Sequence, residues 1–342
     1  MIELLKKLCS LSGASGNEDA VRDFIRSRAI TFADDIKTDA MGNLMVLRLG
    51  KRSTTKPLML SAHMDEVGFI IKRITDDGMI KFGFVGGVDP RVVIGRRVKF
   101  GSVCGVVGIK AVHLASPEER KHTPQTKDLY IDIGACSKSE AESKVEIGDY
   151  GVFDSDATEF GDSLIKAKAL DNRIGCAVLL TLLRKTPPVD TWFVFTVQEE
   201  VGLRGATTSA FALDPALCIN IEGTAAADLP EVEPHKQSCA IRKGAVIPFM
   251  DKSAIYDQRL FELLKKIATD EQIAWQVKTA VAGGTDVGAI HKSLTGIPCA
   301  TVAAPVRYIH SSASVASLDD VQSLLDLMQA FLSGFSENTD FI

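Results

Sequence analysis

Four short apolar runs, each followed by a histidine or an acidic residue, constrain this chain more than any other feature. Pro57-Leu-Met-Leu-Ser-Ala62 stops at His63-Met-Asp65-Glu66, and Thr191 to Val197 stops at Gln198-Glu199-Glu200. Leu217 to Ile221 stops at Glu222, and Cys299 to Ala303 is followed shortly by His310. Runs of this length read as buried strands. Helical patterns lie between and around them: Ile2 to Cys9, Asn172 to Arg184, Gln258 to Ala268 and Ser317 to Phe335. A further helix, capped by Asn17, presents Val21, Phe24, Ile25 and Ala29 on its apolar face. The Ser317 helix carries a capping box with Asp320 and an apolar stripe of Val321, Leu324, Leu325, Met328 and Leu332. Asp39 to Leu47 reads as a hairpin arm around Met41-Gly42-Asn43. Strands alternating with helices predict a three-layer α/β domain.

That alternation is interrupted. From Val67 to Asp162 short β-type segments alternate with glycine turns, at Gly68 to Ile74, Met79 to Phe84, Arg97 to Phe100 and Val103 to Ile109. One short helical piece, around Ser139 to Lys144, stands among them. The texture predicts an α/β domain in two parts, 1–66 and 163–342, split by a β-rich insert over 67–162.

Composition narrows the class of function. A net charge of -5 with no basic run gives no reason to expect nucleic acid as a partner. No apolar stretch approaches the roughly 20 residues of a membrane span, so no membrane partner is expected. The opening Met-Ile-Glu-Leu-Leu-Lys-Lys does not read as a signal peptide. The seven cysteines (Cys9, Cys104, Cys136, Cys176, Cys218, Cys239, Cys299) are scattered, odd in number and lack a Cys-x-x-Cys pair. That pattern fits a reducing, cytoplasmic setting and argues against a disulfide framework or a thiolate zinc site. Any metal would be held by histidines and carboxylates.

The four strand ends supply such groups. In open α/β sheets, ligands bind in the crevice beyond the carboxyl ends of the strands. His63 and Asp65, Glu199 and Glu200, Glu222, and His310 all fall there, and Asp171 opens a helix able to reach the same rim. Each has a simpler reading alone. His63 reads as a buried, hydrogen-bonded histidine, Asp65 as a turn residue, Asp171 as a helix N-cap and Glu199-Glu200 as a solvated loop. Their joint occurrence matches a dinuclear hydrolase: two histidines and several carboxylates suit zinc, cobalt or manganese. Two ions roughly 3.5–4 Å apart need a bridging carboxylate, and the chemistry needs a base. The adjacent Glu199 and Glu200 can divide two roles, because neighbours on an extended backbone point apart.

The words around these residues are specific. Ser-Ala-His63-Met-Asp65-Glu-Val-Gly-Phe, Ala-Leu-Asp171-Asn-Arg-Ile-Gly, Thr-Val-Gln-Glu199-Glu200-Val-Gly-Leu-Arg-Gly, Gly283-Gly-Thr-Asp-Val-Gly-Ala-Ile-His and Arg307-Tyr-Ile-His310-Ser strongly resemble the tetrahedral (TET) metallo-aminopeptidases. This is the family of glutamyl and deblocking aminopeptidases, also labelled cellulase M or endoglucanase. The motifs occur in the family's order and cover essentially the whole chain. The resemblance implies a zinc-peptidase-like catalytic fold, with the β-rich insert as a dimerisation domain, and dimers that assemble into hollow dodecamers. It implies two divalent ions per subunit, zinc or cobalt foremost and manganese as a further choice, and short peptides with a free N-terminus as substrates. It makes His63 and Glu222 ligands of one metal, Glu200 and His310 ligands of the other, Asp171 the bridge, Glu199 the general base and Asp65 the partner that orients His63.

One position departs from the family's pattern: Glu222 stands where Asp is common, and its extra methylene changes reach. His291 falls on a helix start near the site and His113 inside a family-like segment, while His122 and His235 read as solvated. Three rival readings are a metallo-amidohydrolase acting on acylated amino acids, a β-glucan hydrolase and a metal-binding scaffold without activity. The glucan reading needs two carboxyls roughly 5–9.5 Å apart, and Trp192 and Trp275 are the only tryptophans for stacking sugars.

Overall fold

The computed structural model describes residues 1–335. The end of the expected second α/β segment, 336–342, lies outside them. The chain forms an 11-stranded sheet and a closed six-stranded barrel. The sheet contains β1 (Asp35–Thr38), β2 (Leu44–Arg48) and β3 (Leu58–His63). The barrel follows with β4 (Gly68–Ile74), β5 (Ile80–Val85), β6 (Arg97–Phe100), β7 (Val103–Ile109), β8 (Leu129–Asp132) and β9 (Tyr150–Phe153). The chain then returns to the sheet with β10 (Thr158–Phe160), β11 (Leu164–Ala167), β12 (Thr191–Thr196), β13 (Leu217–Ala225), β14 (Ala245–Pro248), β15 (Trp275–Lys278), β16 (Cys299–Arg307) and β17 (Ser314–Ser317). The helices are α1 (Ile2–Ser10), α2 (Asp19–Ala29), α3 (Lys138–Glu142), α4 (Leu170–Leu182), α5 (Arg204–Leu213), α6 (Gln258–Asp270), α7 (Val287–Ile290) and α8 (Leu318–Gly334).

The middle of the sheet runs β12-β3-β13-β16, and these four strands are parallel. Parallel strands buried on both faces need apolar residues at every position. The two faces meet different helices because side chains alternate along a strand. Leu58, Leu60, Phe193 and Phe195 pack with α1, α2, α4, α6 and α8, whereas Met59, Trp192 and Val194 pack with α5 and α7. Each fully buried side chain of this kind contributes about 1.5–3 kcal/mol relative to exposure. The result is the expected three-layer α/β arrangement.

The barrel has its own core, in which Phe69 sits 5.1 to 5.8 Å, centroid to centroid, from Phe82, Phe84 and Phe153. Its strands end at Phe153, short of the expected 162. Thr158–Phe160 instead pairs with β11 in the large sheet, because β11 needs a hydrogen-bonded neighbour opposite β17.

Three expected caps differ. α2 begins after Glu18, not Asn17, and Glu18 turns its carboxylate to Gly16 N–H and Gln198 N–H. Asp320 accepts from Arg242 and Gly244 backbone N–H groups, so it does not close a capping box on Ser317. At the start of α4 the capping group is Asn172, whose Oδ1 accepts from Gly175 N–H, and Asp171 is left free of that duty. Gly175 is required here: a Cβ would lie 2.4 Å from Asn172 Oδ1 and 2.7 Å from Ile221 O.

Candidate metal centre

Parallel strands place their carboxyl ends on one edge, and the register aligns those ends. Thr196 of β12 lies opposite His63 of β3, and Glu222 of β13 opposite Ala303 of β16. Glu222 was expected just past a strand, but β13 continues to Ala225, so Glu222 lies inside it and is buried. β16 continues to Arg307, and His310 follows in a turn with a left-handed backbone, φ +59°.

These residues converge as two triads that share one carboxylate. His63 Nε2 lies 3.3 Å from Asp171 Oδ1 and 3.2 Å from Glu222 Oε1. His310 Nε2 lies 3.6 Å from Asp171 Oδ2 and 3.2 Å from Glu200 Oε1. Within each triad the ligand-type atoms fall inside 4.8 Å of one another. Glu200 Oε1 is buried and makes no hydrogen bond. A buried carboxylate oxygen without a donor is costly in a protein interior, and a cation supplies what it lacks. One imidazole and two carboxylates per triad are a donor set that fits zinc, cobalt or manganese.

Glu199 stands apart from both triads. Its Oε2 lies 4.0 Å from His63 Nε2, and its side chain lines the cavity beside them. Glu199 and Glu200 thus face different places from one loop, and Asp65 holds that loop. Its Oδ1 accepts from Glu199 N–H at 3.0 Å and lies 3.3 Å from His63 Nδ1. Its Oδ2 accepts from Glu200 N–H at 3.1 Å and from the Ser15 hydroxyl at 2.6 Å. Asn220 Nδ2 donates to Glu222 Oε2 at 3.0 Å, and the Ser61 hydroxyl donates to Asn220 Oδ1 at 2.9 Å.

The charges of the cluster perturb one another. Burial pushes the Glu199 carboxyl well above its ordinary range and the Glu222 carboxyl up to about 8. Burial opposes charge on His310, but Asp171 and Glu200 outweigh it and raise the imidazole to about 11. At His63 burial is likewise outweighed, by Glu222, Glu199, Asp171 and Asp65. At Asp171 burial is overcome by His310 and His63, which hold the carboxyl well below its usual range. Without cations, the cluster therefore retains protons at neutral pH.

The other histidines lie elsewhere. His291 bonds Val287 O through Nδ1 and does not line the cavity, and His113 is exposed. His122 and His235 are exposed, as expected. Two groups escaped sequence reading. Asp286 is fully buried, accepts from the Thr196 hydroxyl and has an unpartnered Oδ1. It sits in the quoted Gly283-Gly-Thr-Asp word, so that motif was the available signal. The second is a buried cluster in which Lys168 and Arg173 close on Glu66 at 2.6 and 3.2 Å. Arg173 also donates to Met64 O and Leu8 O, and so ties α1 and the end of β3 to α4.

The triads floor a cavity of about 420 Å³ whose walls include Gly87 of the barrel segment, Leu203, Thr224, Ser238, Lys278 and Gly283. Known proteins resemble this chain over nearly its whole length. A family model for M42 glutamyl aminopeptidases matches residues 42–327. A lysyl aminopeptidase of Pyrococcus furiosus is 30% identical over 96% of this chain and 96% of its own. A glutamyl aminopeptidase of Lactococcus lactis is also 30% identical, over 98% of this chain and 97% of its own. Among solved structures, a TET aminopeptidase from a marine sediment Thaumarchaeota archaeon superposes with a TM-score of 0.94 at 33% identity, covering 98% of this chain and 96% of that one. The TET1 peptidase of Pyrococcus horikoshii, which can assemble into a tetrahedron or a large octahedral shell, superposes with a TM-score of 0.85 at 34% identity, covering 97% and 98%. Sequence, fold and near full-length relatives converge: the chain belongs to the M42 family of metal-dependent aminopeptidases.

Proposed function

We propose that this aminopeptidase works with a dinuclear centre and a glutamate general base on short peptides with a free N-terminus. The observation that carries this reading is the pair of triads sharing Asp171, with Glu199 outside both and facing the same cavity. His63 and Glu222 would hold one divalent ion, Glu200 and His310 the other, with Asp171 bridging. Bound there, two such ions would lower the pKa of a water shared between them and polarise the scissile carbonyl.

The chain's own residues do the rest. Glu199 takes a proton from the attacking water and later delivers it to the leaving amine. Asp65 fixes the His63 ring through Nδ1 and holds Glu199 and Glu200 by their backbone N–H groups, so one carboxylate sets both ligand and base. The floor's carboxylates also suit a free α-ammonium, which favours exopeptidase action. Asn220 fixes the longer Glu222 side chain by its Oε2 and leaves Oε1 toward His63. That is how Glu serves where the family commonly has Asp. The β-glucan reading is disfavoured, because the floor's carboxyls are engaged with imidazoles rather than set free across a groove. No helix among the described residues is long and apolar enough to cross a membrane. We place the enzyme in the cytoplasm and assign the barrel to dimer contact within a larger homo-oligomer. Exposed Val106, Val112, Leu114 and Ile147 in the barrel segment support that assignment.

Cleavage of matched peptides with free and acetylated N-termini tests the reading, with chelator and with zinc, cobalt or manganese restored. Stepwise, metal-dependent loss of residues from the free N-terminus is expected. A requirement for the acetylated form would favour the amidohydrolase reading instead. Glu199→Gln should retain its metals and lose about 10²–10⁴-fold in kcat; near-normal turnover would remove Glu199 from the base role.

A further inference from the structure

Three lysine and arginine side chains are buried among the described residues: Lys168, Arg173 and Lys278. Lys168 and Arg173 close on Glu66. Lys278 has no carboxylate partner among the described residues. Its one polar contact is Nζ to Ala282 O at 3.1 Å, yet an ammonium carries three donors. A buried charge without a counter-ion is unfavourable unless something supplies one.

The position of Lys278 identifies the supplier. It ends β15 and lines the cavity whose floor is the two triads. From Glu222, β13 continues through Thr224 to Ala225, about 10 Å of strand. Ala225 O accepts the Ser238 hydroxyl, and Ser238 O accepts the N–H of Thr279, the residue after Lys278. The ammonium therefore stands on the cavity wall beyond the metal floor. Its neighbours Ala282, Gly283 and Gly284 are small and leave that wall open.

We propose that Lys278 is the specificity residue of this enzyme and receives the side-chain carboxylate of an N-terminal glutamate or aspartate. This rests on the aminopeptidase reading above. Relatives with opposite substrates, lysyl and glutamyl, stand at the same 30% identity, so likeness alone does not decide between them. A single lysine charge attracts a carboxylate and repels a lysine side chain, so one residue sets both halves of the preference.

The test uses the metal-loaded full chain and the p-nitroanilides of Glu, Gln, Leu and Lys. The wild type should prefer Glu over Gln by about tenfold or more in kcat/KM, the size expected of one charge-assisted contact. Lys278→Met should bring that ratio to about one or below, and Lys278→Arg should keep Glu ahead. A wild-type ratio near one, a Lys substrate cleaved fastest, or an unchanged ratio in Lys278→Met would overturn the assignment while leaving the aminopeptidase reading intact. Silence on all four substrates would overturn both. Leu-Ala against Leu-Ala amide separates the remaining carboxylate source: a preference for the free acid that vanishes in Lys278→Met would give Lys278 to the peptide's C-terminus instead.

Discussion

The two halves of the proposed metal centre are built differently. In the inner half, His63 ends a central strand and Glu222 lies within the next one, with side chains 2% and 5% exposed. Both are fixed from behind, by Asp65 and by Asn220. In the outer half, Glu200 sits on a loop and His310 in a turn beyond β16, with the His310 side chain 29% exposed. His310 Nδ1 is held by Gly87 O, which belongs to the barrel segment rather than to the sheet. The inner half is thus preformed by the sheet, whereas the outer half depends on a loop, a turn and the docking of the barrel. Preformed ligands lose less conformational freedom when they bind. The inner half should hold its ion more tightly and the outer half should exchange.

The broadest way to break this contrast is to remove what the halves share. Asp171→Asn should abolish turnover and bring metal content below about one ion per chain, measured by elemental analysis. The histidines then separate the halves. His310→Ala should keep one tightly held ion, whereas His63→Ala should release the inner ion and disturb the outer one through Asp171. Equal losses in the two variants would erase the distinction. A smaller effect is expected of Asp65→Asn, which keeps the size but weakens the hold on His63 and on the Glu199–Glu200 loop. It should cost about 10–100-fold in metal affinity or activity.

The smallest effect is that of pH. Burial raises Glu222 to about 8, and Asp171 and Glu200 raise His310 to about 11 against the opposing effect of burial. The metal-free centre therefore holds protons that binding must expel. Affinity for both ions should fall as pH falls from about 8 toward 6, and proton release should accompany metal uptake in unbuffered titration. Affinity that rises toward acid pH would contradict these charge states.

What the sequence disclosed follows the same division. The central strands were legible because burial on both faces leaves uninterrupted apolar runs, and their ends named the residues that converge as the two triads. β14 and β15 were not, since Ala245–Pro248 is short and ends in a proline, and Trp275–Lys278 is short and mixes apolar with polar residues. α5 was hidden by its Gly, Thr and Ser content, although Gly205 proves obligatory: a Cβ there would lie 2.2 Å from Asn43 Oδ1. The Glu66–Lys168–Arg173 cluster was invisible because Glu66 is more than 100 residues from both cations in the chain. The same is true of the Gly87 contact to His310, which only the closed barrel brings about. Local caps misled for a related reason. Glu18 displaces Asn17 at the start of α2, with its carboxylate drawn to Gln198 N–H, and Asp320 is drawn away from Ser317 by the backbone N–H groups of Arg242 and Gly244.

The most direct test is to titrate the metal-free full chain with zinc or cobalt, following heat, bound metal and peptide cleavage together. Two ions per chain should bind in two phases, the tighter one surviving in His310→Ala, with full turnover only after the second phase. Saturation and full activity with a single ion per chain would contradict the shared-carboxylate centre on which this account rests.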